Sequence, residues 1–265
     1  LVGLPVALLG AHGFDYWVPA HSAAHWEDRP MTEEELDSYR ALVARRAKHE
    51  PVAYILGERE FYGRPFSVDS RVLIPRPDTE VLVDEVLERL PSETSGLVLD
   101  YGTGSGAIGL TLAAERPGLK VLCIDISRDA LDVAKANAET FELRDRVGFL
   151  HSDGLSALPE RFRGALLGLV ANPPYIPEAD RAGLMPDVRD HEPAQALFAP
   201  AAGLLHYERI ASDAATWLAP NGFCSVEVGA GQAQSVVELF ERAGWRDIAL
   251  RSDLARHERV VSATR

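Results

Sequence analysis

The chain has 265 residues, of which 46% are hydrophobic and 25% charged, with a net charge of −13. This is the make-up of a soluble globular enzyme of one large domain, or one domain with an appendage, and no apolar run approaches the ~20 residues that span a bilayer. The acidic balance disfavours a long phosphate backbone as main partner, because affinity for one comes from Lys and Arg.

The first 31 residues are irregular. Residues 1–10 are apolar but lack a basic leader and contain Pro5, so they read as the cut end of a buried helical segment rather than a signal peptide. His21 and His25 have metal-like spacing without a Cys or carboxylate cluster beside them, so no metal site is expected. Residues 32–49 read as a helix: Thr32 and Glu35 make a capping box, and Leu36, Tyr39, Val43 and Ala47 share one face. The helix and what precedes it suggest a small helical N-terminal unit over 1–58. Residues 61–68 and 71–74 look like two strands turning at Asp69-Ser70, which gives a hairpin linker over 59–76. Pro75-Arg76-Pro77-Asp78-Thr79-Glu80 opens a helix to about residue 90.

From residue 96, strands (97–101, 120–126, 147–151, 165–171, 222–229, 246–251, 258–263) alternate with helices (105–115, 128–139, 203–218, 231–243). That alternation predicts an α/β fold with a mostly parallel sheet, the catalytic domain spanning 77–265. Residues 175–200 form a connection long enough to be functional. Cys123 and Cys224 sit in apolar strand-like runs and read as core thiols of a reducing cytosol.

Two constellations carry chemistry. Strand 97–100 runs into Tyr101-Gly102-Thr103-Gly104-Ser105-Gly106 and then a helix, where glycines let a ligand lie against the backbone. About twenty residues on, a strand ends at Asp125-Ile126, where an acid can accept both ribose hydroxyls. Asp153, followed by Gly154 after the third strand, stands where an adenine edge would sit and could accept its amino proton, or could equally be a simple turn residue. NAD and S-adenosylmethionine both suit this half. Asp100 tips the choice to the latter, since a carboxylate can meet an ammonium and would be an odd neighbour for a pyrophosphate. The second constellation is Asn172-Pro173-Pro174-Tyr175 at the end of an apolar strand. Proline cannot continue the ladder, so acceptors are fixed there beside an aromatic plate, as suits a planar group bearing an NH2.

The two together resemble a specific family. Residues 50–57, Phe61-Tyr62-Gly63, 73–80 with Arg76, 100–106, 172–177 and Glu192-Pro193 with Ala196-Leu197 match, in order, the HemK-type glutamine methyltransferases that modify peptide chain release factors. The resemblance implies a Rossmann-like class I S-adenosylmethionine-dependent methyltransferase sheet behind a helical substrate-docking domain and a β-hairpin linker. It implies a cytoplasmic enzyme that methylates the glutamine of a Gly-Gly-Gln loop, with no membrane or direct nucleic-acid partner. It assigns the donor to Asp100, residues 102–106, Asp125, Ile126, Asp153, Gly154 and Asn172, leaving S-adenosylhomocysteine as product. Catalysis and acceptor binding fall to Asn172, Pro173, Pro174 and Tyr175, with Phe61 and Arg76 also touching the acceptor. Tyr101 stands where the family has an aliphatic residue, and Gly154 where it often has a larger side chain. Competing readings are an adenine-amino methyltransferase, which shares residues 172–175, and an NAD-dependent dehydrogenase, which leaves them unexplained.

Overall fold

A computed structural model describes residues 30–265. The N-terminal irregular segment and the His21/His25 pair lie outside the described residues. Thr32 caps helix α1 (Glu33–Arg46) through the expected reciprocal box with Glu35. None of the residues of α1 is buried, however, so the predicted face does not pack into the core. Helix α2 (Val52–Leu56) follows and ends on Gly57.

The hairpin exists but is displaced from its expected place. Strands β1 (Glu58–Phe61) and β2 (Arg64–Ser67) pair antiparallel across Tyr62-Gly63. Residues 71–74 are not a strand. Their apolar side chains Val72 and Ile74 are buried, and Arg71 folds back on Asp69 instead of pairing. Alternating burial imitated a strand where the chain only crosses the core surface.

The seven-stranded sheet runs β5-β4-β3-β6-β7-β9-β8, from β3 (Gly96–Tyr101), β4 (Leu119–Asp125), β5 (Val147–His151), β6 (Leu166–Ala171), β7 (Leu218–Glu227), β8 (Arg246–Ser252) and β9 (Glu258–Thr264). Only β9 runs antiparallel to its neighbours. Helices α3 (Glu80–Arg89), α4 (Ala107–Glu115) and α5 (Arg128–Thr140) separate the early strands. Two apolar layers cover the two faces of the sheet, one around Leu82, Leu110 and Phe66, the other around Tyr207, Phe240 and Trp245. Both cysteines are buried and unpaired, as core thiols should be.

Strand order reverses between β3 and β6. Chain leaving β3 goes to one side through β4, whereas β6 returns to the other, which opens a crevice at the carboxyl ends of the two strands. Tyr101 lies beside Ala171 in that register, so the glycine loop and Asn172 leave the sheet as neighbours.

Two later expectations needed revision. The segment 175–200 is not an open loop: it contains a 3-10 helix (Glu178–Gly183) and helices α6 (Pro186–His191) and α7 (Ala194–Leu197). Helix α8 (Leu205–Asp213) stops well before residue 218 and gives way to a 3-10 turn, after which β7 begins at Leu218. Trp217, expected in that helix, lies in the core just before β7.

Candidate active site

The glycine loop is built on Asp100. Its side chain is fully buried, and Oδ2 accepts hydrogen bonds from Thr103 Oγ1 (2.5 Å) and from the Gly109 amide (3.0 Å). One carboxylate therefore ties both the loop and α4 to the end of β3. Gly109 makes this approach possible: a Cβ there would lie 2.8 Å from Asp100 Oδ2 and 2.9 Å from Cys123 Sγ. Ser105 and Gly106 also hold the loop rather than face the crevice, with the Ser105 carbonyl taken by Asn137 and Gly106 leading into α4 with φ +85. The other Asp100 oxygen, Oδ1, is buried and receives no hydrogen bond from the described residues. Burial, only partly offset by Thr103 and Gly109, pushes this carboxyl up to about 6.

A cavity of about 360 Å3 lies over the loop. Gly102, Gly104, Asp125 and Ile126 line it, and so do Asp153 and Gly154 further along. Gly102 and Gly104 have positive φ, and a Cβ at either would meet no atom within 4 Å. The loop thus presents bare backbone to open space. Asp125 is held at the rim of β4 by the amides of Gly104 (2.9 Å) and Ser127 (2.8 Å). Burial raises its carboxyl, while these backbone N–H groups pull the other way. Ile126, at 46% exposure, is an apolar side chain left open beside it. Asp153 is fixed by Arg209 at 3.0 Å. The two sequence departures are coupled: a Cβ on Gly154 would lie 3.3 Å from the Tyr101 hydroxyl. Tyr101 fills the room that a larger residue 154 would occupy.

The acceptor side is split. Asn172 and Pro174 line the cavity, whereas Pro173 is buried behind them. No described residue donates to the Pro173 carbonyl. Tyr175 does not line the cavity. It packs against the core, its carbonyl accepts from Gln232 (3.0 Å), and its ring lies where a Cβ on Gly229 would be. Burial pushes its phenol up to about 12.

Two further assignments from the resemblance do not reach the cavity. Phe61 is 1% exposed and stacks edge-on against Phe66 at 6.0 Å, so it is a core anchor of the hairpin. Arg76 forms an ion pair with the buried Glu192, whose other oxygen accepts from the Ile74 amide (3.2 Å). That pair fastens the 176–198 strap to the linker. The strap closes on itself through an Ile176–Phe198 bridge and brings Pro193, Gln195, Ala196 and Phe198 over the cavity. Sequence reasoning singled out the segment but not Gln195 or Phe198, because a lining role depends on where the strap folds. It also missed Thr79, whose hydroxyl accepts from the Asn172 side-chain amide at 3.2 Å.

Comparison with known proteins fits this geometry. A family model, Methyltransferase small domain, matches residues 79–188, and PrmC N-terminal domain matches 18–57. The release factor glutamine methyltransferase of Chlorobaculum tepidum is 42% identical over 241 residues, covering 89% of this chain and 81% of the relative. That of Caulobacter vibrioides is 40% identical over 233 residues, covering 88% and 80%. The chain belongs to the release factor glutamine methyltransferase family. A methyltransferase from Pyrococcus furiosus superposes with a TM-score of 0.57 at 13% identity, covering 86% of this chain and 98% of that one, and shows the shared fold.

In this member of the release factor glutamine methyltransferases the cavity suits S-adenosylmethionine. Open backbone at Gly102 and Gly104 leaves room for a ligand lying flat on the loop. Asp125 stands at the strand end with Ile126 as an apolar plate. Asp100 itself is fully buried and does not line the cavity; its Oδ1 has no partner among the described residues. Among the described residues no group of three or more His, Cys, Asp or Glu side chains is placed to hold a metal ion.

Proposed function

We propose that the protein transfers a methyl group from S-adenosyl-L-methionine to the side-chain amide nitrogen of the glutamine in the Gly-Gly-Gln motif of peptide chain release factors, in the cytoplasm. The observation that carries this reading is that Asn172 and the glycine loop open into one cavity at the switch point of the sheet. A holder for an NH2 group and a cradle for a nucleoside then face each other.

S-adenosylmethionine supplies an electrophilic methyl group on a sulfonium. The protein has to bring a poor nucleophile to it, since an amide lone pair is delocalised into its carbonyl. Asn172 Oδ1 and the Pro173 carbonyl each accept one N–H of the glutamine amide. Two such bonds leave the nitrogen lone pair aimed along the approach and stabilise the positive charge that grows on it. The N–C bond forms as the C–S bond breaks, and one amide proton leaves afterwards without a strong base. Pro174 walls the flat side chain at the cavity, and the strap closes over both. Residues 1–58 form the docking domain for the release factor and 59–76 its linker to the catalytic domain at 77–265. The net charge of −13 favours a protein acceptor over a nucleic acid.

Labelled S-adenosylmethionine offered with release factor, with its loop Gln-to-Ala variant, and with DNA or RNA separates the readings. Label on the release factor alone, lost in the loop variant, supports the proposal. Label on adenine in nucleic acid alone overturns it.

A further inference from the structure

Asn172 can hold an amide N–H only if its own oxygen faces the acceptor. A free Asn side chain turns either end outward at little cost. In this structure its Nδ2 donates to Thr79 Oγ1 at 3.2 Å. Thr79 is 4% exposed and stands at the N-cap of α3, a position where a Thr hydroxyl ordinarily accepts from the helix backbone. Here it makes no capping bond. Glu227, at the end of β7, is 2% exposed, and the pairing of Ala171 with Val226 brings Asn172 and Glu227 out of adjacent strands side by side. Its Oε2 is buried and has no hydrogen-bond partner among the described residues.

A hydroxyl has one proton to give. If that proton is engaged by the Glu227 carboxylate, Thr79 Oγ1 can only accept from Asn172. The amide NH2 of Asn172 then faces Thr79, and Oδ1 is left for the acceptor. We propose that Thr79, oriented by Glu227, is a positioning residue that sets which end of the Asn172 amide faces the substrate. This rests on the glutamine-amide reading for its consequence, but the relay itself is a property of the free protein. Residues 79, 172 and 227 come from three separate elements, which argues that the contact follows from the fold and not from chain proximity.

Thr79→Val keeps the shape and removes the hydroxyl, whereas Thr79→Ser keeps the hydroxyl. Steady-state methylation of release factor should show kcat lowered at least tenfold in T79V, with donor affinity by calorimetry within twofold of wild type, and kcat in T79S within about threefold. A T79V kcat equal to wild type overturns the relay. Equal losses in T79V and T79S also overturn it, because the loss then follows packing and not the hydroxyl. A second measurement needs no turnover. In protein labelled with 15N at asparagine, the Asn172 side-chain N–H facing Thr79 should exchange with solvent at least tenfold faster in T79V than in wild type or T79S. Unchanged exchange contradicts the relay. A wild type that labels no release factor yet keeps the slow Asn172 proton contradicts the acceptor assignment and leaves the relay standing.

Discussion

At the scale of single residues, the proposed function places the acceptor chemistry on Asn172, which lines the cavity. Asn172→Ala should lower kcat by about two orders of magnitude, the usual effect of removing one preorganised donor or acceptor to developing charge. Donor binding should change little, because the glycine loop and Asp125 do not depend on it. Turnover and donor affinity measured on the same preparation check this, and near-normal turnover would remove Asn172 from the mechanism. Asn172 was readable in the sequence because a Pro-Pro step ends a strand by covalent necessity. Phe61 and Tyr175 were not readable as packing residues. An aromatic side chain suits a binding wall and a core equally well, and only tertiary contacts separate the two. Thr79 and Glu227 carry no local signature, since their proximity to Asn172 arises from three distant elements.

At the scale of elements, the loop between β3 and α4 separates two kinds of glycine. Gly109→Ala drives a Cβ into Asp100 and Cys123, both buried. Such overpacking should destabilise the fold by about 1–3 kcal/mol, read as a lowered denaturation midpoint. Gly104→Ala meets no protein atom and carries only the strain of a positive φ. Its cost should fall on donor affinity more than on stability, and calorimetry beside a denaturant series distinguishes the two variants. Equal stability loss in both with no change in donor binding would mean that the loop cradles nothing. The glycine spacing made the loop legible in advance. The hairpin was harder: the alternation Val72, Ile74 mimics a strand, and only pairing placed the turn at Tyr62-Gly63. The break between α8 and β7 was obscured for a related reason, because apolar periodicity continues through Trp217 while the backbone changes state.

For the whole molecule, strand order was legible only as an alternation of strands and helices. The reversal at β3 and β6 is long-range, yet it is what puts the glycine loop and Asn172 side by side. Its buried carboxyls also set a pH response. Burial, which disfavours their charged forms, pushes the Asp100 and Glu227 carboxyls up to about 6 and about 7, from 3.8 and 4.5 for the unburied groups. The folded state therefore binds protons more tightly than the unfolded one. These two groups favour folding below about pH 4, and that contribution declines as pH rises through about 6 to 7. Glu227→Gln should flatten the decline between pH 4.5 and 8 in thermal melts of the free protein, and an unchanged slope would contradict the assignment of the burial effect to Glu227. Tandem mass spectrometry of a release factor incubated with the protein and S-adenosylmethionine identifies the acceptor atom itself. The expected product carries a single methyl group on the side-chain nitrogen of the Gly-Gly-Gln glutamine, absent with the N172A variant; a methyl group on any other residue, or one that survives N172A, would overturn the assignment.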